Sequence, residues 1–472
     1  MTLLQKYNWW NRQSKLLLTG IAIGVCACTS RYSNQKPEPL IMKETQLSFS
    51  PKNHALDNND NFSPDDRFLC YDTRGTVYNF DLANCKSIEK IEIATGKETV
   101  LWEPESVTGE QAAPGVAAVS WHPSEDKVIF IHGPLLSEVD KRGYYGIRNR
   151  TGVEVSADGK GKITKVDMRD VATDRPIIAG AQRGGTHRHE YTRDGKRIGF
   201  TYDDFLQQDY DRTIGYMVPS EKAPAGYTHY FALLVKPVKI GTAKPDEIEK
   251  AYADSWVDSE GKMRAFVGKV RDEDGTSYQE DLFVVDIPDS VDITSANSGD
   301  ANTYPEPPEG LQIRRLTHSG GIAGIVRGSD DGKWIAYLAK DNNGILQVNV
   351  ISAFGSDFSD DKELKAYQLS SFDSDAAYFR WHPSGDWIFS SVNGNIAATC
   401  AKPDENFGKS LMLTDDDKLR SQLVVSRNGK LLAYNIDVPG QAESGEEKDF
   451  MQIFVMELNL SELTAAVKNS NS

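Results

Sequence analysis

The chain is 472 residues long, carries a formal net charge of −16, and is 39% hydrophobic and 26% charged. That balance excludes a disordered chain, a coiled coil and a polytopic membrane protein. It also disfavours nucleic acid as a partner, because neutralising phosphates needs clustered cations, and five cysteines are too few for a disulfide scaffold.

In chain order, Lys6, Arg12 and Lys15 precede the apolar run Leu16 to Val25, which is too short to span a bilayer and ends in Val25-Cys26-Ala27-Cys28. Residues 1–27 therefore read as a lipoprotein-type signal, with Cys28 as the lipidated residue and 28–45 as a polar tether. The expected location is exported: anchored by lipid, with the absence of Asp after Cys28 favouring the outer membrane, or secreted or periplasmic. The anchor is the only membrane contact expected. Export permits a disulfide between Cys70 and Cys85.

From residue 46 one pattern recurs: an aromatic or β-branched lead-in, a tight polar turn, then an alternating strand. Copies are Phe62-Ser63-Pro64-Asp65, Trp121-His122-Pro123-Ser124, Tyr191-Thr192-Arg193-Asp194-Gly195, Gly328-Ser329-Asp330-Asp331-Gly332, Trp381-His382-Pro383-Ser384-Gly385 and Val425-Ser426-Arg427-Asn428-Gly429. A fainter copy is Val257-Asp258-Ser259-Glu260-Gly261. Each turn joins two antiparallel strands, and the intervals leave room for four short strands per unit. One small sheet cannot hide both faces, whereas radial stacking of seven can. The sequence thus predicts an all-β fold, a seven-bladed β-propeller of four-stranded antiparallel sheets over 46–462. A disordered tail is expected over 463–472, and Asp300 to Glu309 should be a polar loop between blades.

The chain has no Gly-x-Ser-x-Gly elbow, no phosphate-binding glycine loop and no Cys-x-x-Cys pair. The chemistry-bearing segment is Arg183-Gly184-Gly185-Thr186-His187-Arg188-His189. Two histidines two apart on a strand point to one face, where they can share a metal or a substrate. His132 ends a strand before Gly133-Pro134, Tyr202 ends the strand Phe200-Thr201-Tyr202, and Arg212 follows in Asp211-Arg212-Thr213. His122 and His382 belong to the repeated turn and are assigned to structure.

These segments, with Phe130-Ile131-His132-Gly133-Pro134 and Asp341-Asn342-Asn343-Gly344-Ile345, resemble the TolB-like propeller group, and within it a bacterial family whose best-understood members are ulvan lyases. The His-x-His strand is also similar to the metal-binding strand of oligogalacturonate lyases. Of an Arg-His-Trp cluster in the relatives, only Arg327 is kept. The resemblance implies β-elimination on a uronate-containing anionic polysaccharide, with ulvan as the first substrate to test. It implies His132 and Tyr202 as the acid/base pair, individual roles open. Arg212, and secondarily Arg148, would neutralise the substrate carboxylate. His187 and His189 would bind substrate or a structural divalent cation such as zinc; no organic cofactor is implied, and a monomer is expected. An acidic protein repels such a substrate unless Arg148, Arg183, Arg188 and Arg212 form a local basic groove. The alternative is a non-catalytic envelope propeller that binds proteins or glycans.

Overall fold

The computed structural model describes residues 39–57, 59–75, 82, 85–104 and 115–469. The expected signal, Cys28 and the first part of the tether lie outside them. The fold is the predicted seven-bladed propeller.

Blade three shows the plan. Gly184–Tyr191 is the inner strand, followed outward by Ile198–Asp204, Thr213–Pro219 and His229–Leu233, each antiparallel to the one before. Blades two, four, five and six repeat it from the inner strands Val116–Trp121, Ile248–Trp256, Ile322–Gly328 and Ala376–Trp381. In blade one the inner position is held by residues 55–57 and 59–62, which meet the next strand at the bridges Ala55 to Asp72 and Phe62 to Leu69. Apolar residues from facing sheets fill the space between blades, as where Phe389 and Ile396 of blade six meet Leu423, Leu432 and Tyr434 of blade seven.

The repeated turns also lock neighbouring blades. His122 accepts backbone N–H bonds from Ser124 (3.2 Å) and Glu125 (3.0 Å) through Nδ1, and its ring lies edge-on to Tyr191 of blade three. A Cβ at Gly195, which has φ +74°, would sit 2.6 Å from that ring. His382 repeats the arrangement at Gly429 of blade seven, with Nε2 2.9 Å from the glycine carbonyl oxygen. Both histidines are structural, as expected. Asp66, at φ 57°, occupies the left-handed turn position of blade one, and its carboxylate accepts the N–H groups of Arg427 and Asn428.

The last blade joins one strand from the N-terminal part of the chain to three from the C-terminal part. Arg420–Val425, Leu431–Gln441 and Glu447–Glu457 are completed by Glu44–Gln46, with Glu44 opposite Met456. Glu44 receives Arg420, Lys418 and the Tyr434 hydroxyl. Burial alone would raise its pKa, but these partners outweigh burial and hold it below the ordinary value.

Three expectations change. Leu40 and Met42 pack against blades six and seven, so the end of the predicted tether is already docked. Of the tail expected to be disordered over 463–472, the described residues 463–469 belong to the helix Leu460–Asn469, whose Leu463 and Val467 are buried on that same core. The loop at 300–309 lies within blade four, between Tyr278–Asp286 and Gln312–Arg315. It folds onto blade three, where Tyr304 stacks on Tyr210 and the Thr303 carbonyl accepts from Arg183. Cys70 and Cys85 are both buried and free.

Candidate functional site

Every inner segment contains one residue at positive φ: Asp57, Ala118, Arg188, Ala253, Gly324, Tyr378 and Gln422. In blades two to seven the strand register shifts across that residue, which is the signature of a β-bulge. The bulge decides the fate of the histidine pair. With an extra residue at Arg188, positions 187 and 189 no longer share a face. His187 lies beside Thr201, whereas His189 packs against Phe200, the adjacent residue on the next strand, which points the other way. His189 is fully buried toward blade two, with Nε2 3.1 Å from the Thr186 hydroxyl, and burial pushes its pKa down to about 3. The two imidazoles do not fit a shared zinc ion. Among the described residues, no group of three or more His, Cys, Asp or Glu side chains is arranged to hold a metal.

His132 and Tyr202 are likewise not brought to a cleft. His132 is 2% exposed between Trp102 and Phe130, and its Nδ1 lies 2.6 Å from the Gly133 carbonyl oxygen. Burial lowers its pKa to about 4. Tyr202 is fully buried against Phe231, and its hydroxyl donates to Asp204 at 2.8 Å. Burial, followed by the Asp204 charge, raises its pKa well above the ordinary phenol range, so it holds its proton.

The expected basic groove divides. Arg183 is buried in an ion pair with Asp204 (2.7 Å). Arg148 donates from Nε to the Asp204 carbonyl oxygen and lines a recess with Tyr144 and Phe205. Only Arg188 and Arg212 act on His187, and they are joined by two arginines that the sequence reading did not single out, Arg74 and Arg150. Arg212 is 27% exposed and donates through Nε (3.0 Å) and Nη2 (2.8 Å) to Asp203. Arg74 is held by Asp72 and Asp57. Arg150 donates to the Tyr145 hydroxyl at 3.2 Å, and its Nε is buried without a hydrogen-bond partner. Burial first, then Arg150, Arg212, Arg74 and Arg188, hold the His187 imidazole well below the ordinary histidine range. The result is a neutral imidazole, partly exposed, among fixed cations from three blades.

Fold and site define a seven-bladed propeller with an arginine-flanked histidine on one inner strand. The chain belongs to the family of the uncharacterized protein YidR of Escherichia coli (strain K12): the two are 32% identical over 387 residues, 76% of this chain and 87% of that protein. Residues 115–230, which carry blade two and His187, match the family model described as a protein of unknown function (DUF3748). Solved structures with a similar fold include a putative TolB from Agrobacterium tumefaciens (13% identity, 77% of this chain and 94% of that one, TM-score 0.36). The polysaccharide lyase Uly1 gives 12%, 88% and 91%, with a TM-score of 0.45. A puromycin-hydrolyzing peptidase from Mycobacterium tuberculosis gives 12%, 84% and 54%, with 0.47. Likeness at these values carries no argument about activity. No helix among the described residues is long and apolar enough to cross a membrane.

Proposed function

We propose that this protein is a polysaccharide lyase that cleaves a uronate-containing chain by β-elimination, with His187 as the proton acceptor. The observation that supports this reading is the neutral His187 imidazole among Arg74, Arg150, Arg188 and Arg212. The C5 proton of a uronate is a weak acid until its carboxylate charge is offset. Arg212 is the more exposed cation for that task, and a guanidinium grips a carboxylate at two points. His187 removes the C5 proton, the C4–C5 double bond forms, and the C4–O4 bond breaks as O4 takes a proton from solvent water. The acid for O4 is not Tyr202, whose hydroxyl is buried on Asp204. That burial favours a second reading, in which the site binds an anionic glycan without turning it over.

The test is to incubate the purified protein with ulvan and other polyuronates and follow the ultraviolet absorbance of an unsaturated uronate. His187→Gln is expected to lower the rate by about 100-fold or more, the range of a lost general base. Glycan binding without absorbance selects the second reading, and a fully active His187→Gln variant refutes the first.

A further inference from the structure

Residues 142–149, in the connection between the second and third strands of blade two, fold over the start of the blade three inner strand. A Cβ at Gly185 would sit 2.1 Å from the Ile147 carbonyl oxygen, so this close approach needs glycine. Arg169 spans the junction, donating from Nε to the Gly184 carbonyl oxygen (2.8 Å) and from Nη2 to the Arg148 carbonyl oxygen (3.1 Å). The connection leaves a recess of about 330 Å³, whose lining includes Tyr144, Ile147, Arg148, Asn149 and Phe205. Asn149 is buried, and its Nδ2 donates to the Arg142 and Tyr144 carbonyl oxygens at 2.7 Å each, which fixes the loop and pre-forms the recess.

Two features set this recess apart from ordinary surface. Tyr144, Ile147 and Phe205 are 42%, 47% and 40% exposed, so uncovered apolar area is gathered in one place. Arg148 is held but not neutralised. Its Nε is spent on the Asp204 carbonyl oxygen at 2.7 Å, and among the described residues no carboxylate lies within ion-pair distance of Arg148 or Arg169. The neighbouring carboxylates are engaged elsewhere. Asp204 accepts from Arg183, the Tyr202 hydroxyl and the Gln207 N–H, and Glu138 accepts from Arg142 and Lys165. Burial, then the Arg142 charge, lowers the Arg169 pKa to about 10, which still leaves it charged at neutral pH.

Aromatic faces beside a tethered guanidinium suit a ring with an apolar face and an acidic substituent. We propose that this recess is a subsite for an acidic sugar unit, with Arg148 gripping its carboxylate or sulfate group and the ring resting against Phe205 and Tyr144. Gly184 precedes His187 by three residues of one strand, about 10 Å, so a single glycan can reach both places. The inference rests on the reading that the His187 face takes an anionic glycan. It extends that reading to the substrate, which must carry an acid group on a unit beyond the one at His187.

The experiment is calorimetric titration of the full-length His187→Gln protein, in which turnover is removed, with tetrasaccharides of polygalacturonate and of ulvan, and with cellotetraose as the neutral control. At least one acidic tetrasaccharide should bind about tenfold or more tighter than cellotetraose, and the stronger arm shows whether a carboxylate or a sulfate is preferred. Arg148→Gln and Phe205→Ala, added separately, should each weaken that binding by about tenfold, the scale of one charge-assisted bond or one aromatic contact, with thermal melts checking that both stay folded. Arg148→Lys keeps the charge without the paired donors and should recover only part of the loss. Acidic tetrasaccharides that bind with affinity unchanged in Arg148→Gln and Phe205→Ala overturn this inference and leave the His187 reading standing. Equal affinity for cellotetraose also overturns it. Absence of binding by every acidic tetrasaccharide up to about 10 mM overturns both.

Discussion

Asp167 lies between blades two and three, fully buried, accepting the Gly152 N–H at 2.8 Å and the Thr186 hydroxyl at 3.2 Å. Burial raises its pKa from 3.8 to about 6 against the opposing effect of those two bonds. The folded state therefore holds this proton more tightly than the unfolded chain, and stability falls as pH rises from about 4 through 6. The difference between 3.8 and about 6 corresponds to about 3 kcal/mol above both pKa values, and to about 1 kcal/mol at pH 4.5. Asp167→Asn keeps an acceptor for Gly152 and removes the charge. It should stabilise the protein by up to about 3 kcal/mol at pH 7.5, shrinking to about 1 kcal/mol at pH 4.5. For a chain of 472 residues, with unfolding entropy of about 2 cal/mol/K per residue, that is a rise in Tm of about 3 °C at the higher pH. Thermal melts of both proteins across this range decide it. A variant destabilised equally at every pH would show that hydrogen-bond geometry, and not the buried charge, governs this position.

Leu463→Ala should destabilise the protein by about 2–4 kcal/mol, the usual cost of emptying a buried leucine site, because the C-terminal helix is part of the core; denaturant unfolding measures it. Tyr202→Phe should cost about 1–2 kcal/mol through the lost bond to Asp204, while leaving any lyase rate within a few-fold of wild type; a rate loss comparable to that of His187→Gln would return Tyr202 to the chemistry.

The blade repeat was legible because six of the seven turns place Asp66 or a glycine in the left-handed region, and such residues are visible as residue types. The burial of Tyr202 was legible too: in Phe200-Thr201-Tyr202-Asp203 the alternation puts Tyr202 on the face of Phe200. A functional reading of the phenol passed over that pattern. The divergence of His187 and His189 could not be read, because it depends on one extra residue in the strand. The equivalent positions are filled by Ala118, Ala253, Tyr378 and Gln422, which share no chemical feature. Arg74 and Arg150 were hidden for a related reason: they come from polar loops without a motif, and only the closure of the ring brings them to His187.

Pairing Glu44 with Met456 ties together positions more than four hundred residues apart in the chain. Among the described residues, the first strand made during translation must wait, with its edge uncovered, until the last has left the ribosome. Such extreme contact order slows folding and leaves the growing polypeptide open to association with its own copies.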